Sequence, residues 1–378
     1  MQAEAVRRFS KVRRAVVKVG SNVLTQDSGL NHQAIQSISR QICQLIDKDL
    51  EIILVSSGAM ASGLKKVGLD QRPDEIPKRQ AIAAVGQAGL IMEYEKAFAR
   101  YEKKVAQILL TSEDLSSRKR YLNARNTLYT LLSWQVVPII NENDTIMVEE
   151  IKVGDNDNLA AMITLLMDAD LLINLTDIDG LYTKDPRTQA GAELIPTVDT
   201  ITKNLENLAG DIPGPLGRGG MLSKIKAARK VTAVGIPMII ANGRKSDILL
   251  QLFDGRCSGT YFVPKTARLA SRKRWIGFTL KPQGRIEIDT GAAKAILKEG
   301  KSLLPSGILA VDGDFGVGAP VELKTAGNEV LGTGLVNYSA IEIRQIKGLK
   351  SSQIIKCLGH KPYDEVIHRD NLVVTIDR

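Results

Sequence analysis

A succession of short apolar runs, each followed by a longer stretch of helical character, constrains this sequence more than any other feature. The runs are Ala15–Val19 (AVVKV), Glu51–Val55 (EIILV), Val105–Leu110, Val136–Ile140, Leu171–Leu175 (LLINL) and Pro237–Ile240. Helical periodicity is read over Asn31–Leu45, Lys78–Tyr101, Tyr121–Trp134, Leu159–Met167 and Ile225–Thr232, with a further helical stretch from Ala59 to Gly63. Strands apolar on both faces are buried on both faces, so the pattern predicts an α/β fold: a mainly parallel sheet sandwiched by helices. Aromatic residues make up only 4% of a chain that is 44% hydrophobic, so its core is expected to be aliphatic. In an open sheet of this kind, ligands bind beyond the carboxyl ends of the strands.

At 378 residues the chain is better read as two domains than one. The composition changes after Pro264–Trp275, a charged and poorly periodic segment. The division expected is residues 1–263, a linker at 264–280, and a small, mostly β domain with its tail at 281–378. Short strands there are read at Arg285–Ile288, Gly307–Val311, Pro320–Lys324 and Gly332–Val336, with a helix at Ala292–Leu297. No apolar run reaches the ~18 residues of a membrane span. The amino-terminal MQAEAVRRFSKVRR lacks an apolar core and runs directly into a strand, which favours a surface lead-in over a targeting signal. Cys43, Cys257 and Cys357 form no metal-spaced pair, and an odd count without an export signal fits the cytoplasm. The net charge of +9 suits phosphate-bearing substrates and nucleic acid alike.

The densest polar segment, Asn141–Leu159, follows the Val136–Ile140 strand. It holds Glu142, Asp144, Glu149, Glu150, Asp155 and Asp157, interspersed with Asn143, Asn156 and Asn158. A loop needing only solubility would not mix amides with carboxylates; a loop gripping a polar ligand would. It is not an EF-hand, because Leu159 and Ala160 stand where a third acidic ligand and the turn glycine belong.

Two more stretches suit anion binding. Lys18 interrupts an otherwise apolar strand, and either reaches an anion beyond the strand's end or snorkels at an edge. Gly20 and Ser21 offer backbone N–H groups beside it, and Ser56-Ser57-Gly58-Ala59 makes a second strand–turn–helix junction. The segment 209–224 is rich in Gly and Pro and ends at Lys224. Exposed backbone at Gly217, Gly219 and Gly220 beside Arg218 fits a phosphate-binding loop, with a flexible surface loop as the alternative. Neither a Walker A motif nor a Rossmann glycine fingerprint is present, so a nucleotide would be held by another device.

Lysines, a glycine-rich loop and an Asp/Asn segment together suit phosphoryl transfer, which needs mainly positioning and electrostatic stabilisation. His32, His360 and His368 all fall outside these stretches, which disfavours a histidine base. A carboxylate acceptor, with a pKa near ~4.3, needs no base; its obstacle is anion–anion repulsion, which two lysines address.

These residues resemble the glutamate 5-kinase family of the amino-acid kinase superfamily, in the form that carries a C-terminal PUA domain. The resemblance runs nearly end to end. It is carried by Val17–Ser21, Ser57–Ala59 with Gly63, Ala84–Gln87, Asn123–Arg125, Asn141–Asp144 (NEND), Lys152–Asp157 (KVGDND), Thr176-Asp177, Gly180–Tyr182 with Asp185-Pro186, and Gly219–Met221 with Lys224. Asn22 and Asn126 depart from the residues common there, and neither is expected to touch a chemical position. The resemblance implies transfer of the ATP γ-phosphoryl to the γ-carboxylate of L-glutamate with Mg²⁺, the committing step of proline biosynthesis. It further implies that Lys18 and Lys224 contact the transferring phosphoryl and that Asp157 orients both. Ser57, Asp144 and Asn156 would bind glutamate. Lys18, Thr176, Asp177, Arg218, Gly219, Gly220, Met221, Leu222, Ser223 and Lys224 would line the nucleotide site, with no resident metal ligands. Feedback inhibition by proline, a dimer or tetramer, and delivery to a glutamyl phosphate reductase are family expectations. The rivals are aspartate, acetylglutamate, carbamate or uridylate kinases, against which the Asn141–Asp157 stretch and the β tail argue. An RNA-binding protein acting through the tail is disfavoured, because residues 271–378 carry only about four net positive charges.

Overall fold

The computed structural model describes residues 9, 11–26, 29–146, 156–210, 220–256, 259–264, 280 and 282–374. The chain divides into two compact units, residues 1–268 and 269–378. The expected linker at 264–280 lies almost wholly outside the described residues.

The first unit is built on an eight-stranded sheet. In chain order its main elements are β1 (Arg14–Val19), α1 (His32–Ile46), β2 (Glu51–Ser56), α2 (Ala59–Lys66), α3 (Ile76–Ala99), β3 (Lys104–Leu110), α4 (Arg118–Ser133), β4 (Val136–Glu142), α5 (Asn156–Leu166), β5 (Leu171–Thr176), β6 (Thr197–Val198), α6 (Met221–Thr232), β7 (Met238–Asn242) and β8 (Thr260–Phe262). The strand order is β3-β4-β2-β1-β5-β7-β8-β6. The six strands from β3 to β7 run parallel, and β8 turns antiparallel against β7. Central strands are buried along nearly their whole length, as continuous apolar runs require. The core is aliphatic, with Tyr94, Phe98 and Phe262 among its few large rings.

Chain order places β1 at the reversal point of the sheet. From β1 the chain moves to β2 on one side and later returns to β5 on the other, so the carboxyl ends of β1 and β5 flank a crevice. Register puts Lys18 opposite Val55 on one neighbour and Asn174 on the other. Two polar side chains thus sit side by side inside the most buried part of the sheet.

Two glycines shape the approaches to that crevice. Gly58, at φ +105°, makes the turn between β2 and α2, a conformation that side chains rarely adopt. Gly86 lets α3 press directly on α2: a Cβ there would lie 1.8 Å from the Ala59 carbonyl oxygen. That contact fixes where the next residue, Gln87, enters the interior.

Strand boundaries follow the sequence expectation closely, but the helix expected at Leu159–Met167 begins at Asn156. Asn156 and Asp157 are therefore first-turn helical residues, not loop residues. Asp157 is favoured in the first turn because its negative charge complements the helix dipole. Residues 147–155 lie outside the described residues.

The second unit contains a five-stranded mixed sheet. Its strands are β9 (Gly284–Ile288), β10 (Ile308–Asp312), β11 (Pro320–Thr325), β12 (Val330–Leu335) and β13 (Leu372–Val374), in the order β10-β9-β11-β12-β13. Helices Thr290–Glu299 and Ala340–Ile346 cover it, and Ile286, Val321, Leu323, Tyr338 and Ile343 are buried in its own core. The second helix was not anticipated, because its seven residues are too few for a helical period to register.

Candidate active site

At the crevice, four side chains close around one carboxylate. Asp157 is 1% exposed. Its Oδ1 lies 2.5 Å from Lys18 Nζ and accepts Asn174 Nδ2 at 2.7 Å. Its Oδ2 lies 3.1 Å from Lys224 Nζ and accepts Ser223 Oγ at 2.5 Å. Both lysines are 5% exposed. The four partners come from three elements, Lys18 from the end of β1, Asn174 from β5, and Ser223 and Lys224 from the first turn of α6, while Asp157 stands on the first turn of α5.

The electrostatics follow from this geometry. Burial alone would raise the Asp157 pKa. The charges of Lys18 and Lys224, with hydrogen bonds from Lys18 and Ser223, overcome it and hold the carboxyl well below the usual carboxylate range. Two ammonium groups converge on this one carboxylate, and both are nearly buried beside it. Buried ammonium groups held this close together suit an incoming anion.

The acceptor side lies next to this cluster. Asn156 Nδ2 donates to Ser57 Oγ at 3.1 Å, to the Ser56 carbonyl at 3.0 Å and to Asn141 Oδ1 at 3.0 Å. Asn156 Oδ1 is buried and has no hydrogen-bond partner among the described residues. Asp144 stands in the turn after β4, and among the described residues no hydrogen bond joins it to Ser57 or Asn156. Burial pushes its carboxyl pKa up to about 6.

On the other flank, Thr176 ends β5, and its Oγ1 donates to Asp177 Oδ1 at 3.1 Å. Asp177 Oδ2 accepts Asn22 Nδ2 at 2.9 Å. The Asn22 amide thus holds a candidate nucleotide residue. Gly220 caps α6 in extended conformation, followed by buried Met221 and half-buried Leu222. Arg218 and Gly219 lie outside the described residues.

The structure thus gathers Lys18, Asp157, Ser223 and Lys224 in one cluster, Ser57 and Asn156 beside it, and Thr176 and Asp177 at its rim. Asn174, Asn141 and Gln87 were missed as participants. Asn174 carries the same signal as Lys18, a polar side chain inside an apolar strand. His32, His360 and His368 are all substantially exposed and none pairs with this cluster. Among the described residues no group of three His, Cys, Asp or Glu could hold a metal ion, and no helix is long and apolar enough to cross a membrane.

Comparison with known proteins adds two domain matches and close full-length similarities. Residues 13–242 match the amino acid kinase family, and residues 284–358 match the PUA domain. The chain is 51% identical to a glutamate 5-kinase of Syntrophus aciditrophicus, over 97% of this chain and 95% of that protein. It is 50% identical to a glutamate 5-kinase of Geobacter sulfurreducens, over 97% of this chain and 98% of that one. A glutamate 5-kinase of Meiothermus ruber is also 50% identical, with 95% of this chain and 94% of that protein covered.

Proposed function

The chain belongs to the amino acid kinase family and, within it, to the glutamate 5-kinases, and on that premise we propose how its own residues carry out the family reaction. ATP phosphorylates the γ-carboxylate of L-glutamate, giving L-glutamyl 5-phosphate, the first step of proline biosynthesis. The observation that carries the assignment of roles is the buried Lys18–Asp157–Lys224 array at the sheet's reversal point, with the amide of Asn156 alongside.

The acceptor carboxylate is ionised at neutral pH and is already a nucleophile, so no general base is required. Its approach to the γ-phosphoryl is opposed by like charge. Lys18 and Lys224 neutralise oxygens of the transferring group, and their contact strengthens as charge moves toward the leaving oxygen. Asp157 holds both ammonium groups at a fixed separation, and Asn174 and Ser223 hold Asp157. Asn156 and Ser57 bind glutamate together with Asp144, whose ionised carboxylate pairs with the α-ammonium. Thr176, Asp177 and the start of α6, together with Arg218 and Gly219, line the nucleotide.

Mg²⁺ enters with ATP. It keeps several waters and binds mainly through phosphate oxygens, so a dedicated protein cage is not needed. When bound it neutralises the β- and γ-phosphates. Asp157, already shared by two lysines, is poorly suited to act as its ligand.

Residues 1–263 form the catalytic domain, joined by 264–280 to a PUA-like domain and tail at 281–378. The second domain serves regulation or assembly rather than RNA binding. Proline competes for the glutamate subsite, the enzyme works in the cytoplasm as a homo-oligomer, and a reductase consumes the labile acyl phosphate.

The test is ADP release with ATP and Mg²⁺ in the presence of hydroxylamine. L-Glutamate, L-aspartate, N-acetylglutamate and no acceptor are compared. Hydroxamate formed only with glutamate supports the assignment. Absence of turnover with glutamate, from folded protein that binds ATP, overturns it.

A further inference from the structure

Three amide side chains behind the acceptor site are each oriented by a backbone group that has only one hydrogen-bonding role. The Glu142 carbonyl can only accept, so Gln87 Nε2, 3.4 Å away, must be the atom facing it. Gln87 Oε1 then faces the other way and accepts Asn141 Nδ2 at 3.3 Å and Gln107 Nε2 at 3.0 Å. The Glu142 N–H can only donate, so it fixes Asn141 Oδ1 at 2.9 Å. That same oxygen accepts Asn156 Nδ2 at 3.0 Å. The Ser56 carbonyl independently demands Asn156 Nδ2 at 3.0 Å.

With its nitrogen so committed, Asn156 can present only Oδ1 in the remaining direction. That oxygen is the one left buried without a partner among the described residues, on a side chain 7% exposed. An unsatisfied buried acceptor costs about 1–3 kcal/mol, so an arrangement that keeps one is suited to a ligand that donates. L-Glutamate at neutral pH has a single N–H donor group, its α-ammonium.

We propose that Gln87 is a positioning residue for glutamate affinity. It locks Asn141, and through Asn141 it locks Asn156, so that an oxygen and not an NH₂ group meets the α-ammonium. This inference rests on the reading that the site takes L-glutamate. Gln87 does not need to touch the substrate. Its place is set from behind, where Gly86 brings α3 against the Ala59 carbonyl more closely than any side chain would permit. Without Gln87, Asn141 Nδ2 loses its acceptor, and the Asn141–Asn156 pair keeps only the Glu142 N–H and the Ser56 carbonyl to hold its orientation. A flipped Asn156 would set two N–H donors against an ammonium.

The test is Gln87→Met in the full chain, which keeps length and volume and removes both polar atoms. The KM for glutamate should rise about 10-fold, which is about 1.4 kcal/mol. The KM for ATP should stay within about twofold and kcat within about threefold, a split that a general loss of structure would not produce. An unchanged KM for glutamate, or equal losses in both KM values and kcat, would overturn the proposal. If Gln87→Met fails to fold, Gln107→Met carries the test from the exposed end of the relay. It should raise the KM for glutamate about threefold and leave ATP unaffected, and no change would overturn the proposal. Wild-type protein that gives no hydroxamate with glutamate would refute the underlying function. Active wild type with an unaltered Gln87→Met would refute the relay alone.

Discussion

Replacing Asp157 with asparagine removes a carboxylate that two buried ammonium groups share. Lys18 and Lys224 stand 2.5 and 3.1 Å from its two oxygens. At an effective dielectric near ~20, each pair attracts by roughly 5–7 kcal/mol before desolvation is subtracted. The net cost of removing one partner from a buried pair is smaller, about 3–5 kcal/mol. Asparagine keeps one acceptor oxygen, so the lower end applies, and the ligand-free Tm should fall by about 6–12 °C. ATP should then stabilise the variant more than the wild type, because phosphate oxygens replace the lost carboxylate beside the two ammonium groups. Turnover should nonetheless fall by about 10²–10³-fold, because the ammonium groups are no longer held where charge develops. Scanning fluorimetry with and without MgATP, paired with the hydroxamate assay, reads both effects. A variant with wild-type kcat, or one whose ATP affinity falls as far as its kcat, would refute the reasoning. The acid limb gives a further check. Burial opposes ionisation of Asp157, yet the two lysines hold its folded pKa below the unfolded value. Its stabilising contribution is therefore present above about pH 4 and is lost as pH falls through the folded value. Below about pH 4 the wild type should lose stability more steeply than Asp157→Asn.

The remaining expectations concern the two flanks of the crevice. Lys224→Ala should lower kcat by about 10²–10³-fold and change the KM for ATP by no more than about threefold; proportional losses in a steady-state titration would make Lys224 a ground-state binder instead. Burial pushes Asp144 up to about 6, and only its ionised form pairs with an ammonium group. The KM for glutamate should therefore fall about 10-fold from pH 5 to pH 7, following the ionised fraction. Asp144→Asn should flatten that profile and raise the neutral-pH KM, and a flat wild-type profile would remove Asp144 from the substrate site.

The sheet was legible because each central strand is apolar on both faces, and Lys18 was legible because a lysine in such a strand needs a partner. Its partner proved to be Asp157, a residue 139 positions or so along the chain (roughly, by residue number), which only the parallel crossover brings near. The same logic would have flagged Asn174 in LLINLT, whose amide holds Asp157. Gln87 had no such signal. It sits on a long helix among Ala, Val and Gly, where a polar residue reads as solvent-facing until the helix is seen pressed against its neighbour. The start of the Asn156 helix was obscured for a different reason: an acidic, amide-rich segment reads as loop, although those residues also favour a helix's first turn. In the second unit, short elements with weak periodicity hid a helix and the last strand.

The architecture also explains why two lysines converge on one carboxylate. Phosphoryl transfer between two anionic reactants demands excess positive charge at the meeting point, but an unpaired buried ammonium is too costly to keep in the empty enzyme. Two lysines with no carboxylate would repel each other and give up protons. Asp157 gives each ammonium a partner and holds the two together at the meeting point. Helix α5 supplies the middle member from its first turn, where the helix dipole also favours a negative charge. The Asn156 amide, one residue earlier on that turn, is aimed at the acceptor side. A single helix start therefore sets both the phosphoryl-binding charge and the orientation of the acceptor pocket. A substitution that shifted this turn should damage glutamate affinity and turnover together, whereas Asp157→Asn and Gln87→Met should separate them.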